Sequence, residues 1–84
     1  MYDIAFLKRS KISKEILENL ENPKTAVELK KTLNAHRETI SRALLRLESR
    51  GFAKCQNPSD KNYRFYLITE KGKELLNKFN KEDR

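Results

Sequence analysis

The fold of this chain is decided by residues 33–51, LNAHRETISRALLRLESRG. A helix advances by about 100° per residue, so four apolar side chains of this stretch fall on one stripe, namely Ile40, Ala43, Leu44 and Leu47. The opposite face carries a mostly polar set, namely Glu38, Ser41, Arg42, Leu45, Arg46 and Ser49. One face is therefore suited to a protein core, and the other to a polar or anionic surface.

The residues before this helix predict its start and a second helix ahead of it. His36 stands at the N-cap position, and Asn34 can adopt the left-handed turn that closes a preceding helix. Thr25 and Glu28 have the spacing of a capping box, which predicts a short helix over residues 26–33. A short helix, a tight turn and a second helix with a basic, hydroxyl-bearing outer face are typical of a helix-turn-helix.

The N-terminal part of the chain predicts more helix. Residues 2–9 can form a short terminal helix, and Ser10 can cap a second helical segment that contains Ile16 and Leu17. Ser13 is expected to face away from the core in that segment. The sequence leaves open whether the two segments are separate helices or one bent helix.

After residue 51 the pattern becomes that of strands. Residues 52–56 alternate loosely and residues 63–68 are aromatic and branched, with a polar turn cluster between them, which predicts a β-hairpin. Lys24 and Thr25 can add a short extended segment to this small sheet. At least two of three aromatic side chains are expected to serve core and strand packing, because the chain has few other large side chains; the three are Tyr63, Phe65 and Tyr66.

The C-terminal part predicts one more helix. Thr69 can cap a helix over residues 70–80, and Gly72 in its first turn is expected to weaken the start of that helix.

Composition limits the class of protein. The chain has 84 residues, enough for one domain, and 37% of them are hydrophobic, so its core is small and oligomerisation is expected. Nineteen Lys and Arg against twelve Asp and Glu give a net charge of +7, which attracts polyanions. One Cys excludes an internal disulfide, and one Cys with one His cannot supply a four-ligand zinc site.

The sequence lacks the residues that several classes of function require. The sequence contains no apolar run long enough for a membrane span and no secretory signal, so a soluble cytoplasmic protein without membrane contact is expected. No nucleophile and base pair or Gly-rich phosphate loop is recognisable, so we expect neither an enzyme nor a bound cofactor or metal. Cys55 lies on a predicted strand and is expected to be a small buried apolar residue.

The order of elements and three motifs carry a family resemblance. The motifs are TISRAL at residues 39–44, LESRGF at 47–52 and LITEKG at 67–72. Over residues 10–76 the chain resembles small archaeal and bacterial winged helix-turn-helix transcriptional regulators of the arsenical-resistance and multiple-antibiotic-resistance (ArsR/MarR) kind. The fold so implied is α+β and mainly α, with a three-helix core, a β-hairpin wing and a flanking terminal helix in one domain over residues 1–84.

The resemblance also implies a function. It implies a dimeric repressor or activator of transcription that places the recognition helix, residues 37–50, in the major groove of double-stranded DNA. The wing, residues 57–64, would then lie on the backbone or in the minor groove. Multidrug-type members have longer flanking helices that form a ligand pocket at the dimer interface, and this chain has no room for them, so a small-molecule effector is not implied.

The candidate DNA-binding residues follow from the chemistry of the grooves. Arg42 is suited to a bidentate contact with guanine, whereas Glu38 can accept a hydrogen bond from cytosine or simply neutralise Arg42. Lys61 and Arg64 flank the wing tip and can meet phosphates or a narrow minor groove, although such charges can also protect an edge hairpin from aggregation. The full set is His36, Arg37, Glu38, Thr39, Ser41, Arg42, Arg46, Lys61 and Arg64.

The terminal helices, residues 2–9 and 70–80, are the candidate dimerisation elements. Their apolar side chains exceed what a small three-helix core needs to bury, so self-association would hide them, unless both segments fold back on their own domain. The interface residues so predicted are Ile4, Phe6, Leu7, Leu75, Leu76 and Phe79. The sequence therefore favours a homodimeric, sequence-specific DNA-binding regulator, with a protein-interaction module or a non-specific architectural DNA binder as alternatives.

Overall fold

The computed structural model describes residues 2–82, and the side chains of residues 4–81. Five helices and one two-stranded antiparallel sheet follow one another in the predicted order. None of the described helices combines the length and the apolar composition that a membrane crossing needs. The elements are α1 (Tyr2–Arg9), α2 (Lys11–Glu18), α3 (Ala26–Leu33), α4 (Arg37–Ser49), β1 (Ala53–Cys55), β2 (Tyr66–Ile68) and α5 (Glu70–Glu82).

The first two helices are separate, because Ser10 interrupts them. Its backbone has φ −127° and ψ 88°, and its hydroxyl accepts a hydrogen bond from the N–H of Ser13, as an N-cap does. The two serine hydroxyls are also 2.8 Å apart. Ser13 is fully buried, so the expectation that it faces away from the core is wrong. Its bond to Ser10 satisfies the hydroxyl, which removes the main cost of burying it.

The helix-turn-helix is formed by α3 and α4, and local signals set its geometry. The capping box is present, since the Glu28 N–H donates to the Thr25 hydroxyl and the Thr25 N–H donates to the Glu28 carboxylate. These bonds, above all the one from the Thr25 backbone, lower the pKa of Glu28 below its ordinary value. Asn34 closes α3 in the left-handed conformation at φ 51° and ψ 51°. His36 occupies the N-cap position of α4, but its side chain makes no capping hydrogen bond.

The two strands of the wing are shorter than predicted. The ladder pairs Ala53 with Ile68 and ends where Cys55 pairs with Tyr66. Residues 63–65 lie outside it. Lys24 pairs with Tyr66 through two backbone hydrogen bonds of 2.8 and 2.9 Å, so the expected extended segment before α3 does join the sheet.

The hydrophobic core lies between α4, the other helices and the sheet. Phe52 is fully buried in it and stacks on Phe6, with 6.3 Å between the ring centroids. Gly72 is buried beside it, and the packing is so close that a Cβ at this position would collide with the carbonyl oxygen of Phe52 and lie 2.7 Å from Cγ1 of Ile68. Gly72 therefore permits close packing of α5 on the wing base, a role beyond the predicted weak helix start.

The terminal helices pack on their own chain. Helix α5 contacts both α1 and α2, and it buries side chains that the sequence predicts at a dimer interface. Leu7, Leu75 and Phe79 belong to the core of the single chain, because the small central helices leave room that these side chains fill. Ile4, Phe6 and Leu76 are half-buried against the same core, so the apolar surface left for self-association is smaller than predicted.

Candidate nucleic-acid interface

The outward face of α4 divides into two sides. The predicted stripe is buried as expected, since Ile40, Ala43, Leu44 and Leu47 are in the core. On the exposed side, three residues one turn apart face a groove between α4 and the wing, namely Arg37, Ser41 and Leu45. Another three face a depression beside the start of α2, namely Thr39, Arg42 and Arg46.

The groove between α4 and the wing, called the wing groove below, has a volume of 380 Å³. Cationic side chains stand on both of its sides, since Arg37 comes from α4 whereas Lys61 and Arg64 come from the wing. Among the described residues, none that line this groove carries a carboxylate. An anion entering the groove would meet positive charge from two elements of the fold.

Arg42 is held only weakly before any partner binds. Its guanidinium lies 3.7 Å from the Glu38 carboxylate, one turn back on α4, and the two side chains are 75% and 86% exposed. Such an exposed pair contributes about 0.3–0.5 kcal/mol, whereas a bidentate contact to a base is worth about 1–3 kcal/mol. Arg42 can therefore leave Glu38 for a base at little cost.

Asn57 organises the wing, a role that its sequence position in a turn cluster does not reveal. Its side-chain carbonyl accepts a hydrogen bond of 2.8 Å from the N–H of Phe65, and its amide donates one of 2.7 Å to the carbonyl of Tyr63. These bonds hold the backbone of residues 63–65 beyond the end of the ladder, together with a backbone hydrogen bond of 2.7 Å from the N–H of Gln56 to the carbonyl of Phe65. Cys55 is half-buried beside it, with Sγ at 3.8 Å from the Asn57 carbonyl, and so is less buried than predicted.

Asp60 shapes the tip of the wing. Its carboxylate accepts hydrogen bonds of 2.9 Å from the N–H groups of Asn62 and Tyr63. These bonds, with that of Tyr63 the strongest, lower the pKa of Asp60 below its ordinary value of 3.8. Arg64 donates from Nε to the backbone carbonyl of Asp60 at 2.9 Å, so one edge of its exposed guanidinium is fixed and the other is free to bind.

The aromatic side chains of the wing differ from the prediction. Tyr66 is buried on β2, but Tyr63 is 68% exposed and Phe65 is also exposed, and both lie outside the strands, so the expectation of core and strand packing for at least two of the three is wrong. The backbone of residues 63 and 65 is bound by the Asn57 side chain, just beyond the point where the ladder ends at Tyr66.

The structure brings the predicted site residues together in part. Arg37, Ser41, Lys61 and Arg64 line the wing groove. A second depression at the start of α4 is bordered by His36, Arg37, Glu38, Thr39 and Arg42, together with Lys30 from α3. Sequence reasoning missed Lys30, Val27 and Tyr63 as residues of this surface, since only their exposure beside α4 reveals them.

Within the described part of the chain, His, Cys, Asp and Glu form no group of three that could hold a metal ion.

Solved structures of other proteins share this architecture, among them the following three. A MarR family transcription regulator, SP03579, is 25% identical with a TM-score of 0.74, and the match covers 86% of this chain and 50% of that one. The transcriptional regulator Tm0710 from Thermotoga maritima is 26% identical with a TM-score of 0.76, covering 95% and 61%. Lactococcus lactis ZitR in complex with DNA is 19% identical with a TM-score of 0.72, covering 83% and 49%, and shows the fold alone.

The comparisons confirm the resemblance to small winged-helix regulators of the MarR kind. The chain spans between about half and three fifths of the length of these relatives. No curated protein matches the sequence. Residues 8–84, nearly the whole chain, match the family described as winged helix-turn-helix. The chain therefore belongs to the winged helix-turn-helix family.

Proposed function

We propose that the chain is a sequence-specific regulator of transcription that binds double-stranded DNA. Helix α4, with the turn after it (residues 37–50), enters the major groove, and the wing, residues 57–64, lies on the backbone or in the minor groove. The observation that carries the proposal is the arrangement of cations, because α4 and the wing both present Arg or Lys to the wing groove. The MarR family regulator that shares the fold supports the same function.

Hydrogen bonding to the base edges is assigned to the first two turns of α4. Arg37, Ser41 and Arg42 present donors, and Ser41 and Glu38 present acceptors, along a helix face that can reach base edges. Arg42 is the candidate for a bidentate contact with guanine. These residues act by binding, so the protein works as a DNA-binding protein rather than as an enzyme.

Residues at the edges of this face are assigned to phosphate binding. Arg46 follows Arg42 by one turn on α4, and Lys61 and Arg64 extend the positive surface onto the wing. His36 and Thr39 are exposed at the start of α4, where a polar side chain can meet a phosphate.

A homodimer is part of the proposal. One winged helix presents little surface for high specificity, and two copies with half-sites about 34 Å apart are the usual remedy. Ile4, Phe6 and Leu76 are half-buried on the terminal helices and supply the apolar surface for the contact. This dimer would act on an inverted repeat in the DNA.

A second candidate function is a protein-interaction module. The exposed apolar side chains of Val27, Leu45 and Tyr63 favour it, since they lie together in the wing groove. The surrounding positive charge favours DNA, and so the DNA-binding function is preferred.

Selection from a random pool of DNA duplexes at moderate salt separates the candidates. Enrichment of an inverted repeat supports the sequence-specific regulator. Retention of DNA without any enriched motif indicates an architectural binder, and an absence of binding favours the protein-interaction module. Either of these two results would overturn the proposed function.

A further inference from the structure

We infer that Leu45 recognises the methyl group of a thymine, so that the chain selects a T·A pair at one position in each half-site. The inference rests on the proposed function and adds a base preference to it. Leu45 lies on the outer face of α4, although an apolar side chain there gains nothing from exposure to water.

The first support is the clustering of exposed apolar side chains. Leu45 is 60% exposed, and a single exposed leucine would need no explanation. Val27 and Tyr63 are exposed as well, and both line the wing groove together with Leu45. Three exposed apolar side chains from three separate parts of the chain therefore meet at one groove, which marks a contact surface.

The second support is the charge around the cluster. Arg37, Lys61 and Arg64 line the same groove, and none of its described residues carries a carboxylate. A partner that fits must therefore be anionic and must also offer an apolar group. Double-stranded DNA does both, because the methyl group of thymine is the apolar feature of the base edges in the major groove.

The third support is the position of Leu45 along α4. Arg37, Ser41 and Leu45 succeed one another at intervals of four residues and all line the wing groove. At 1.5 Å per residue, Leu45 lies about 12 Å along the helix from Arg37, a distance of about three to four base pairs. The thymine should therefore belong to the same half-site as the bases next to Arg37.

The experiment replaces single thymines of the selected duplex by deoxyuridine, which removes the methyl group and keeps the base pair. For the wild-type chain, replacing the contacted thymine in one half-site should weaken binding about fourfold, as expected for the removal of one buried methyl group. For Leu45→Ala, the thymine and deoxyuridine duplexes should bind equally well. The substitution is at an exposed helix position and alanine favours helix, so the variant should fold, which circular dichroism checks.

The matched control is Glu48→Ala, an exposed position on α4 that does not line the wing groove, and it should keep the sensitivity to deoxyuridine. Equal weakening of the thymine and deoxyuridine duplexes by Leu45→Ala would overturn the inference, because Leu45 would then contact the sugar or backbone. The same conclusion follows if no thymine replacement weakens wild-type binding. Both results leave the proposed function intact. A wild-type chain that binds no duplex would contradict both the proposed function and this inference.

Discussion

At the scale of single residues, Arg42 has both the exposure and the weak local bond that direct base reading requires. Arg42→Ala should weaken binding to the selected duplex by about 1–3 kcal/mol and relax the base preference at one position per half-site. Titration of the variant against duplexes with each base at that position measures both effects. If the variant binds all sequences more weakly by the same factor, Arg42 contacts phosphate alone.

Gly72 allows α5 to pack closely against the base of the wing. Gly72→Ala would gain about 1 kcal/mol of helix propensity, but its Cβ would collide with the backbone carbonyl of Phe52, which cannot turn aside as a flexible side chain can. Overpacking of this kind costs about 1–3 kcal/mol. The net change should therefore lower the free energy of unfolding, by up to about 2 kcal/mol.

Urea unfolding followed by circular dichroism measures this change. Asn77→Ala is the matched control, because Asn77 is exposed on the same helix and its replacement brings the gain in propensity without the collision. A Gly72→Ala variant as stable as Asn77→Ala would show that α5 can move away from Phe52 at no cost.

At this scale, the sequence predicts local features better than it predicts packing. Ser10, Thr25 and Asn34 were predictable, because caps and left-handed turns depend on neighbours within a few positions along the chain. The packing of Gly72 against Phe52 and the burial of Ser13 were not, since both depend on how helices settle on one another in space.

At the scale of elements, the wing departs most from its prediction. The polar cluster at residues 57–62 correctly predicts a hairpin. The backbone that carries its exposed aromatic side chains, however, is held by Asn57, whose hydrogen bonds join residues six and eight positions apart. Periodicity does not reveal such bonds, so the sequence does not indicate that Tyr63 lies on the candidate interface. The α4 face was predictable because its period alone separates buried from exposed positions.

The wing should contribute to binding mainly through charge. Lys61→Ala should weaken binding to all sequences by a similar factor and reduce the slope of log K against log salt by about 0.9 for each phosphate that the chain no longer neutralises. Affinities measured at several salt concentrations give the slope, and Lys54→Ala, an exposed lysine on β1 outside the wing groove, is the control. An unchanged slope for Lys61→Ala would remove this side chain from the interface.

At the scale of the whole molecule, the homodimer stays a prediction. The proposed contact uses the half-buried Ile4, Phe6 and Leu76, because the chain buries Leu7, Leu75 and Phe79 in its own core. Sedimentation equilibrium at micromolar concentration should therefore give a dimer for the wild type and a monomer for Leu76→Asp. Ser59→Asp adds the same charge on the exposed wing and should remain dimeric. A wild type that sediments as a monomer, or a Leu76→Asp variant that stays dimeric, would contradict the proposed interface.

The surface that binds DNA can be located directly by mapping backbone amide chemical shifts while the selected duplex is added to the isotope-labelled chain. Binding by α4 and the wing predicts that the large shift changes fall in residues 36–46 and 60–65, with small changes on the outer face of α5. Large changes confined to α2 and α5, with α4 and the wing unaffected, would show that this chain binds DNA, if at all, by another surface.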